Sequence, residues 1–476
     1  MTNYNLTKKF SQFTYKLLKV LPTGGKSYPG YLFIKYAGLD SIKKLANEQL
    51  ETGSILITGT NGKTTPTTML INLLSKDTDI ISSVDNNTIY ALTTALLSKK
   101  ANIGVFEYGI RDIEHGIPDK VQKYVQPKGV LYTSISREHT QVLGKKNSFE
   151  QYVKAKTLLS KDMMNGVVMV NTDDPNTCNI GLNKQEEGHV IYYGLDTDMV
   201  EDVYEPADSY CPRCGKKLEY SRHYMNQRGV YSCECGFARH EPDIKVTKVL
   251  SSNGRLDVHV IGSVYNYSFD DNVSIDVELS LPLFGIHNVY NTLASLTAYA
   301  CFTPEPENIE SNISNYFNSL DFSILPPGRF EVEKLGDKLV GIGQGDNGDA
   351  LKVNVLFMKR ELFNSEAEFI YCTPDANEEE IFEDHLKTLK TVNPTHITVV
   401  PGRVSLDAAE KYYEKIVESG LNASYYPIEY DFDKRIKGIV KLINESEYSN
   451  IIVTGCGEEQ AVWNIIKNKI KEENKN

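Results

Sequence analysis

Residues Gly59-Thr60-Asn61-Gly62-Lys63-Thr64-Thr65 set two glycines beside an ammonium group and several hydroxyls, a set suited to binding a polyphosphate. Glycines let backbone N–H groups converge on phosphate oxygens, a helix N-terminus adds partial positive charge, Lys63 can reach the terminal phosphates, and the Thr64 hydroxyl can ligate Mg²⁺. The spacing is two residues tighter than the general P-loop, and Ile57 stands where that pattern has its first glycine. An ordinary glycine-rich turn is the plainer alternative. Further candidates follow along the chain: Glu107 after Ile103-Gly104-Val105-Phe106, His139 in Ser136-Arg137-Glu138-His139-Thr140, Lys154 and Lys156, the amides Asn288 and Asn291, and Arg329. Cys211-Pro212-Arg213-Cys214-Gly215 and Cys233-Glu234-Cys235-Gly236 form two cysteine pairs, each closed by a glycine.

The phosphate-type turn sits between Ile55-Leu56-Ile57, which reads as a strand, and the amphipathic stretch Thr67 to Leu74, which reads as a helix. Glu107 ends the next apolar run. At the C-terminal edge of an open α/β sheet it is placed to reach a metal held by Thr64; a solvated turn carboxylate is the alternative. Gly129 to Tyr132 reads as a strand emptying into polar residues, so His139 is either a metal ligand or a loop histidine. Ser148 to Ser160 reads as a helix carrying Lys154 and Lys156, and Val167 to Val170 as a strand ending in Asn171-Thr172-Asp173-Asp174-Pro175. Strands alternating with helices predict a parallel sheet, with antiparallel strands from Ile244 to Leu281 returning to it. Asn288 and Asn291 fall one turn apart at a helix start, where they can read a purine edge or cap the helix. Leu325-Pro326-Pro327-Gly328-Arg329-Phe330 interrupts the pattern, and the remainder reads as a second α/β domain.

With 476 residues the chain has room for about three domains and a self-sufficient core. Net charge is −12 with both signs interspersed, which leaves no broad positive face for nucleic acid. No window offers the roughly 18 uninterrupted apolar residues of a membrane span, and lysines interrupt the N-terminal apolar stretch, so a cytoplasmic protein without a signal peptide is expected. Phe10 to Leu21 is amphipathic; packing on the body of the protein is expected ahead of lying on a membrane. Cys211, Cys214, Cys233 and Cys235 suit a structural tetrahedral Zn²⁺ site with no open position, in preference to disulfides. His223 and His240 are spare candidates outside that set.

Taken in order, Gly59 to Thr64, Glu107, His139, Lys156, Asn171 to Pro175, His287-Asn288-x-x-Asn291 and Gly328-Arg329-Phe330-Glu331 resemble the Mur ligase family of ATP-dependent peptide ligases, from about residue 50 to the C-terminus. The zinc-ribbon insertion and the missing sugar-nucleotide-binding domain are similar to the MurT-like branch, which amidates glutamate in lipid II; archaeal pseudomurein peptide ligases are also similar. The resemblance implies an α/β fold: an N-terminal helical segment (1–50), a central ATP-binding domain (51–206 and 243–326) with an inserted zinc ribbon (207–242), and a Rossmann-like C-terminal domain (327–476).

It further implies that Lys63 holds the β- and γ-phosphates, that Thr64 and Glu107 hold Mg²⁺, and that His139 supports a second Mg²⁺. Lys156 falls where many family members carry a carbamylated lysine. Asn288 would face adenine, His287 and Asn291 would shape that pocket, and Arg329 would touch ATP as the C-terminal domain closes. Gly343 to Leu351 departs from the family's Asp-Tyr-Ala-His-Asn-Pro-Asp-Ala-Leu stretch, leaving Asp349 as its candidate nucleotide or amine contact. Gly455-Cys456-Gly457-Glu458-Glu459 resembles a turn near the incoming amino acid.

The implied activity is peptide-bond formation through an acyl phosphate on a murein or pseudomurein precursor, with UDP-linked or lipid-linked peptide and an amino acid as substrates. Branch members with a glutaminase partner carry an Asp-Gly-Arg-Asp-x-Ser-Trp stretch. Its absence from Pro374 to Asp384 disfavours such a partner. The competing expectations are an ammonia-using amidating subunit and a nucleotide-binding scaffold without catalysis.

Overall fold

The structure, a computed structural model, describes residues 4–473 apart from 20–24, 85–86, 137–140, 143–144, 147–148, 185–187, 199–208, 253–254, 282–284, 321–329, 347, 362–365, 403–404, 430 and 458–459. The chain divides into two units, residues 1–324 and 325–476.

The first unit is built on β1 (Leu50–Thr58), β2 (Ile80–Ser83), β3 (Ala101–Glu107) and β4 (Gly129–Tyr132), the two-residue pair β5 (Gln141–Val142) and β6 (Lys145–Lys146), then β7 (Val167–Asn171), β8 (His189–Leu195), β9 (Glu219–Met225), β10 (Arg228–Ser232), β11 (Ile244–Ser252), β12 (Arg255–Asn266) and β13 (Asp271–Leu281). Nine of these form one sheet in the order β13-β12-β11-β8-β7-β4-β1-β3-β2. Neighbours from β2 to β11 run parallel, while β12 and β13 return antiparallel. Residue pattern explains the division. Ile55, Leu56 and Ile57 are fully buried because helices cover both faces of the parallel part, so its strands are apolar throughout. In β13 only alternate residues, Ile275, Val277, Leu279 and Leu281, are buried, as suits a sheet with one wet face.

Three helices precede β1: α1 (Tyr4–Leu18), α2 (Tyr28–Ala37) and α3 (Ser41–Gln49). An amphipathic helix is present at Tyr4–Leu18, against the expected Phe10 to Leu21, and it packs on the body, but through Tyr4 and its polar side, with Leu6, Phe10, Phe13 and Leu17 exposed. Thr7 and Ser11 are its buried positions, Tyr4 and Lys8 reach Glu48, and Gln12 donates to the Leu97 carbonyl. After β1 comes α4 (Thr64–Asp77), which buries Met69, Leu70, Leu73 and Leu74. Among the described residues no helix is long and apolar enough to cross a membrane.

The second unit holds β14 (Glu331–Leu335), β15 (Lys338–Gln344), β16 (Ala367–Thr373), β17 (His396–Pro401), β18 (Ala423–Tyr425) and β19 (Asn450–Gly455). Their order is β14-β15-β19-β16-β17-β18, parallel except for the edge strand β14. Helices cover both faces, one core gathering Phe382, Leu389 and Tyr412, the other Ile436, Ile439, Trp463 and Ile466. Buried Lys467 is paired with Glu331 at 2.6 Å, tying the last helix to the edge strand. Both the mixed central sheet and the second α/β unit agree with the sequence expectation.

Candidate functional site

The phosphate-type turn stands where β1 leaves the sheet and α4 begins, at the C-terminal edge of the parallel strands. Its shape is held by the segment that follows the neighbouring β4. The Thr60 N–H donates to the Ser134 carbonyl at 2.7 Å, the Thr133 hydroxyl donates to the Asn61 carbonyl at 2.6 Å, and the Ser136 N–H donates to Thr60 Oγ1 at 3.1 Å. Thr60 Oγ1 also lies 3.0 Å from the Tyr152 hydroxyl. Both glycines are required. A Cβ on Gly59 would lie 2.0 Å from Thr133 Oγ1; Gly62 has φ +70 and a Cβ there would meet Asn291 Oδ1 at 2.9 Å.

Around this turn the structure collects several of the expected side chains. Lys63 folds back over the loop and donates to the Thr60 carbonyl at 2.7 Å, and Thr64 and Thr65 open α4 as buried residues. Glu107, buried, pairs in register with Ile57 on the adjacent strand, two residues before Gly59. Lys156 is buried beneath the loop, donates to the Gly59 carbonyl at 3.0 Å, and lies 4.7 Å from the Tyr152 ring centre. Asn291 stands one turn above Asn288 in the helix Ile286–Phe302 and donates to the Asn288 Oδ1 at 3.1 Å. His287 opens the same helix. His139, Arg329 and Glu459 lie outside the described residues. Asp349 is in the first turn of the helix Gly348–Glu361, in the second unit, where Asp346 accepts the Gly457 N–H at 3.1 Å.

The four cysteines converge. Their sulfurs all lie within 4.8 Å of one another, with Cys211 to Cys235 at 3.6 Å and Cys214 to Cys233 at 3.5 Å. A tetrahedral Zn²⁺ with Zn–S bonds of ~2.3 Å separates its sulfurs by roughly 3.8 Å, so the set fits that ion. The Phe237 N–H pulls the Cys235 thiol down to about 7, whereas burial raises Cys211. His223 and His240 take no part: each stacks on a tyrosine, Tyr220 and Tyr192 respectively.

What sequence reasoning missed is where this ribbon goes. Its hairpin β9–β10 ends in Asn226, Gln227 and Arg228, all buried. Gln227 Nε2 donates to Asp174 Oδ2 at 2.8 Å; the same oxygen accepts the Ile135 N–H at 3.0 Å, and Ile135 lies between the residues that strap the phosphate turn. Beside it, Asp173 is fully buried and receives Arg239 Nε at 2.7 Å, the Tyr290 hydroxyl at 2.8 Å and the Leu195 N–H at 2.8 Å. Burial raises the Asp173 carboxyl above its ordinary value, against the pull of Arg239. The signal available in the sequence was Asp173-Asp174-Pro175: adjacent carboxylates after a fully apolar strand need partners from elsewhere in the chain.

A phosphate-binding turn at the edge of a parallel sheet, backed by a buried lysine and a strand-end carboxylate and followed by a separate α/β unit, defines a nucleotide-binding α/β protein. The pattern of the Mur ligase middle domain matches residues 57–224, so this part of the chain is a Mur ligase middle domain. In sequence it is 26% identical over 299 residues to the lipid II isoglutaminyl synthase (glutamine-hydrolyzing) subunit MurT of Staphylococcus aureus, covering 61% of this chain and 62% of that one. To the corresponding MurT subunit of Streptococcus pneumoniae it is 23% identical over 324 residues, covering 66% and 65%. The matches thus span a little less than two thirds of these relatives' length. In fold it is similar to a pseudomurein peptide ligase type C from Methanothermus fervidus, with TM-score 0.67, 22% identity, and coverage of 93% of this chain and 83% of that one. It is also similar to MurF of Thermotoga maritima solved with ADP, with TM-score 0.58, 16% identity, and coverage of 92% and 84%.

Proposed function

We propose that the protein is an ATP-dependent carboxylate–amine ligase forming an amide bond on a cell-wall peptide precursor, murein or pseudomurein, in the cytoplasm. The observation that carries this reading is the strapped turn Gly59–Lys63 with Lys156 beneath it and Glu107 on the adjacent strand, inside a matched Mur ligase middle domain.

In the reaction, an acceptor carboxylate oxygen attacks the γ-phosphorus of ATP, the bond to the bridging oxygen breaks, and ADP leaves. The amine nitrogen then attacks the acyl carbon, the carbon–oxygen bond to phosphate breaks, and the surplus proton passes to solvent. Backbone N–H groups of the turn cradle the triphosphate, and Lys63 swings from the Thr60 carbonyl onto the β- and γ-phosphates. Thr64, Glu107 and His139 are the residues that would hold Mg²⁺, which neutralises charge on the transferred phosphoryl group. Lys156, if carbamylated as the family resemblance implies, would change from a cation into a carboxylate-like group able to help hold Mg²⁺. Asn288, His287 and Asn291 would receive the base, and Arg329 and Asp349 are further candidate nucleotide contacts on the family resemblance. The four-cysteine cluster would hold a structural Zn²⁺.

The test is purified protein with ATP and Mg²⁺ against UDP-linked and lipid-linked peptides, each combined with amino acids or ammonia, read by mass spectrometry. A new amide product with ADP release supports the reading; no acceptor-dependent ADP release with any pair overturns it. A second reading, amidation with ammonia delivered by a glutaminase partner, is favoured by the similarity to MurT. Product formation from ammonia but from no amino acid would select it.

A further inference from the structure

We infer that α1 is a membrane-surface anchor whose exposed face lies on an anionic phospholipid bilayer. The helix docks on the protein through its small and polar side: Thr7 and Ser11 are buried, and Tyr4 packs edge-on against Phe33 at 5.8 Å. Its large apolar side chains point the other way. Leu6 is 64% exposed, Phe10 52%, Phe13 64% and Leu17 60%. The spacing 6, 10, 13 and 17 puts all four on one stripe of the helix. A core-facing helix would bury this stripe, so its outward orientation is opposite to what folding alone selects.

Charge identifies the occupant. The helix carries Lys8, Lys9 and Lys16 and no acidic residue, in a chain whose net charge is −12. Lys8 is engaged by Glu48 at 2.7 Å, but Lys9 and Lys16 are exposed and sit one turn either side of Phe13, along the border of the apolar stripe. Lysines flanking an apolar face match a layer of anionic headgroups over acyl chains, with the apolar residues entering about 5–10 Å. The following helix α2 adds exposed Tyr28, Tyr31 and Tyr36, with Lys35 lying 5.6 Å from two of these rings, the side-chain types that favour a membrane–water boundary. Gly25, at φ +53 and with its Cβ position 2.6 Å from Leu18, turns the chain between the two helices.

The inference goes beyond the ligase reading and stands apart from it. On that reading, surface attachment gives the enzyme access to a lipid-linked acceptor. Vesicle binding by a Lys63→Ala protein, in which ligation is lost, keeps the two separable.

The experiment is co-sedimentation of the full chain with vesicles of equal parts phosphatidylglycerol and phosphatidylcholine, and with vesicles of phosphatidylcholine alone. The expected result is binding to the anionic vesicles that weakens with salt and is at least ten-fold weaker on neutral ones. Phe10→Ser with Phe13→Ser should reduce binding at least ten-fold with Tm unchanged. Lys9→Gln with Lys16→Gln should reduce it about 25-fold, at roughly five-fold per lysine. Equal sedimentation of wild type and both double variants overturns the proposal, as does no binding at low salt. So does a dimer in analytical ultracentrifugation that Phe10→Ser with Phe13→Ser dissociates, since a second copy would then cover the stripe.

Discussion

Arg239→Met tests whether the ribbon is a structural part of the first unit. Arg239 comes four residues after Cys235, and its guanidinium is buried against Asp173, a carboxylate with no exposed surface. Replacing it removes the Nε contact at 2.7 Å and the bond from Nη2 to the Leu195 carbonyl at 2.6 Å, leaving the Tyr290 hydroxyl and the Leu195 N–H on an uncompensated charge. Removing one partner of a buried pair costs about 3–5 kcal/mol. Unfolding entropy at ~2.1 cal/mol/K per residue, over a unit spanning residues 1–324, is about 0.7 kcal/mol/K, so Tm should fall by roughly 4–7 °C.

The loss should also depend on pH. Burial already raises Asp173 above the 3.8 of an unfolded aspartate, and losing Arg239 raises it further. A carboxyl raised in the native state binds its proton more tightly there than in the unfolded chain. Its contribution to stability is therefore fully present below 3.8 and is lost as pH rises through the raised native value. The gap between wild type and variant, followed by urea unfolding, should be widest near pH 8 and narrow on acidification. Asp173→Asn added to Arg239→Met should recover most of the loss at pH 8. A gap independent of pH, or a double variant no more stable than the single one, would refute the argument.

Lys63→Ala should lower acceptor-dependent ADP release about 10³-fold, or ~4 kcal/mol, with Tm within about 1 °C of wild type; a coupled ADP assay checks it, and full turnover would misplace the site. Gly59→Ala should weaken ATP binding at least ten-fold by calorimetry, because the added methyl must displace Thr133 Oγ1 from 2.0 Å. The wild type should carry one zinc per chain by inductively coupled plasma mass spectrometry, and Cys211→Ser should carry less and have a lower Tm. Through Gln227 and Asp174 it should also weaken ATP binding, whereas an independent knob would leave ATP affinity untouched.

The local features were legible because they depend on neighbours in the chain. A β-branched run, a glycine turn and a helix start are short-range events, so the site of the phosphate loop could be read from Ile55 to Leu74. The alternation from Ile244 to Leu281 likewise follows from having one wet face. Cysteine pairs report their common purpose through spacing alone, although only folding brings Cys211 within 3.6 Å of Cys235. The straps on the phosphate turn were not legible: Thr133 and Ser134 lie more than 70 residues from their partners, and no short-range pattern links them.

By itself, then, the sequence determined an α/β chain with a glycine turn that can cradle phosphate, a second α/β region and two close-spaced cysteine pairs, since each follows from residue type and short spacing. Tertiary structure alone decided which side of α1 faces inward, because a helix with polar contacts available on one side and apolar residues on the other can dock either way. It alone decided that the ribbon hairpin ends on Asp174 and that Arg239 meets Asp173. Buried carboxylates must be satisfied by whichever donors packing delivers, and that choice is made across the fold, not along the chain.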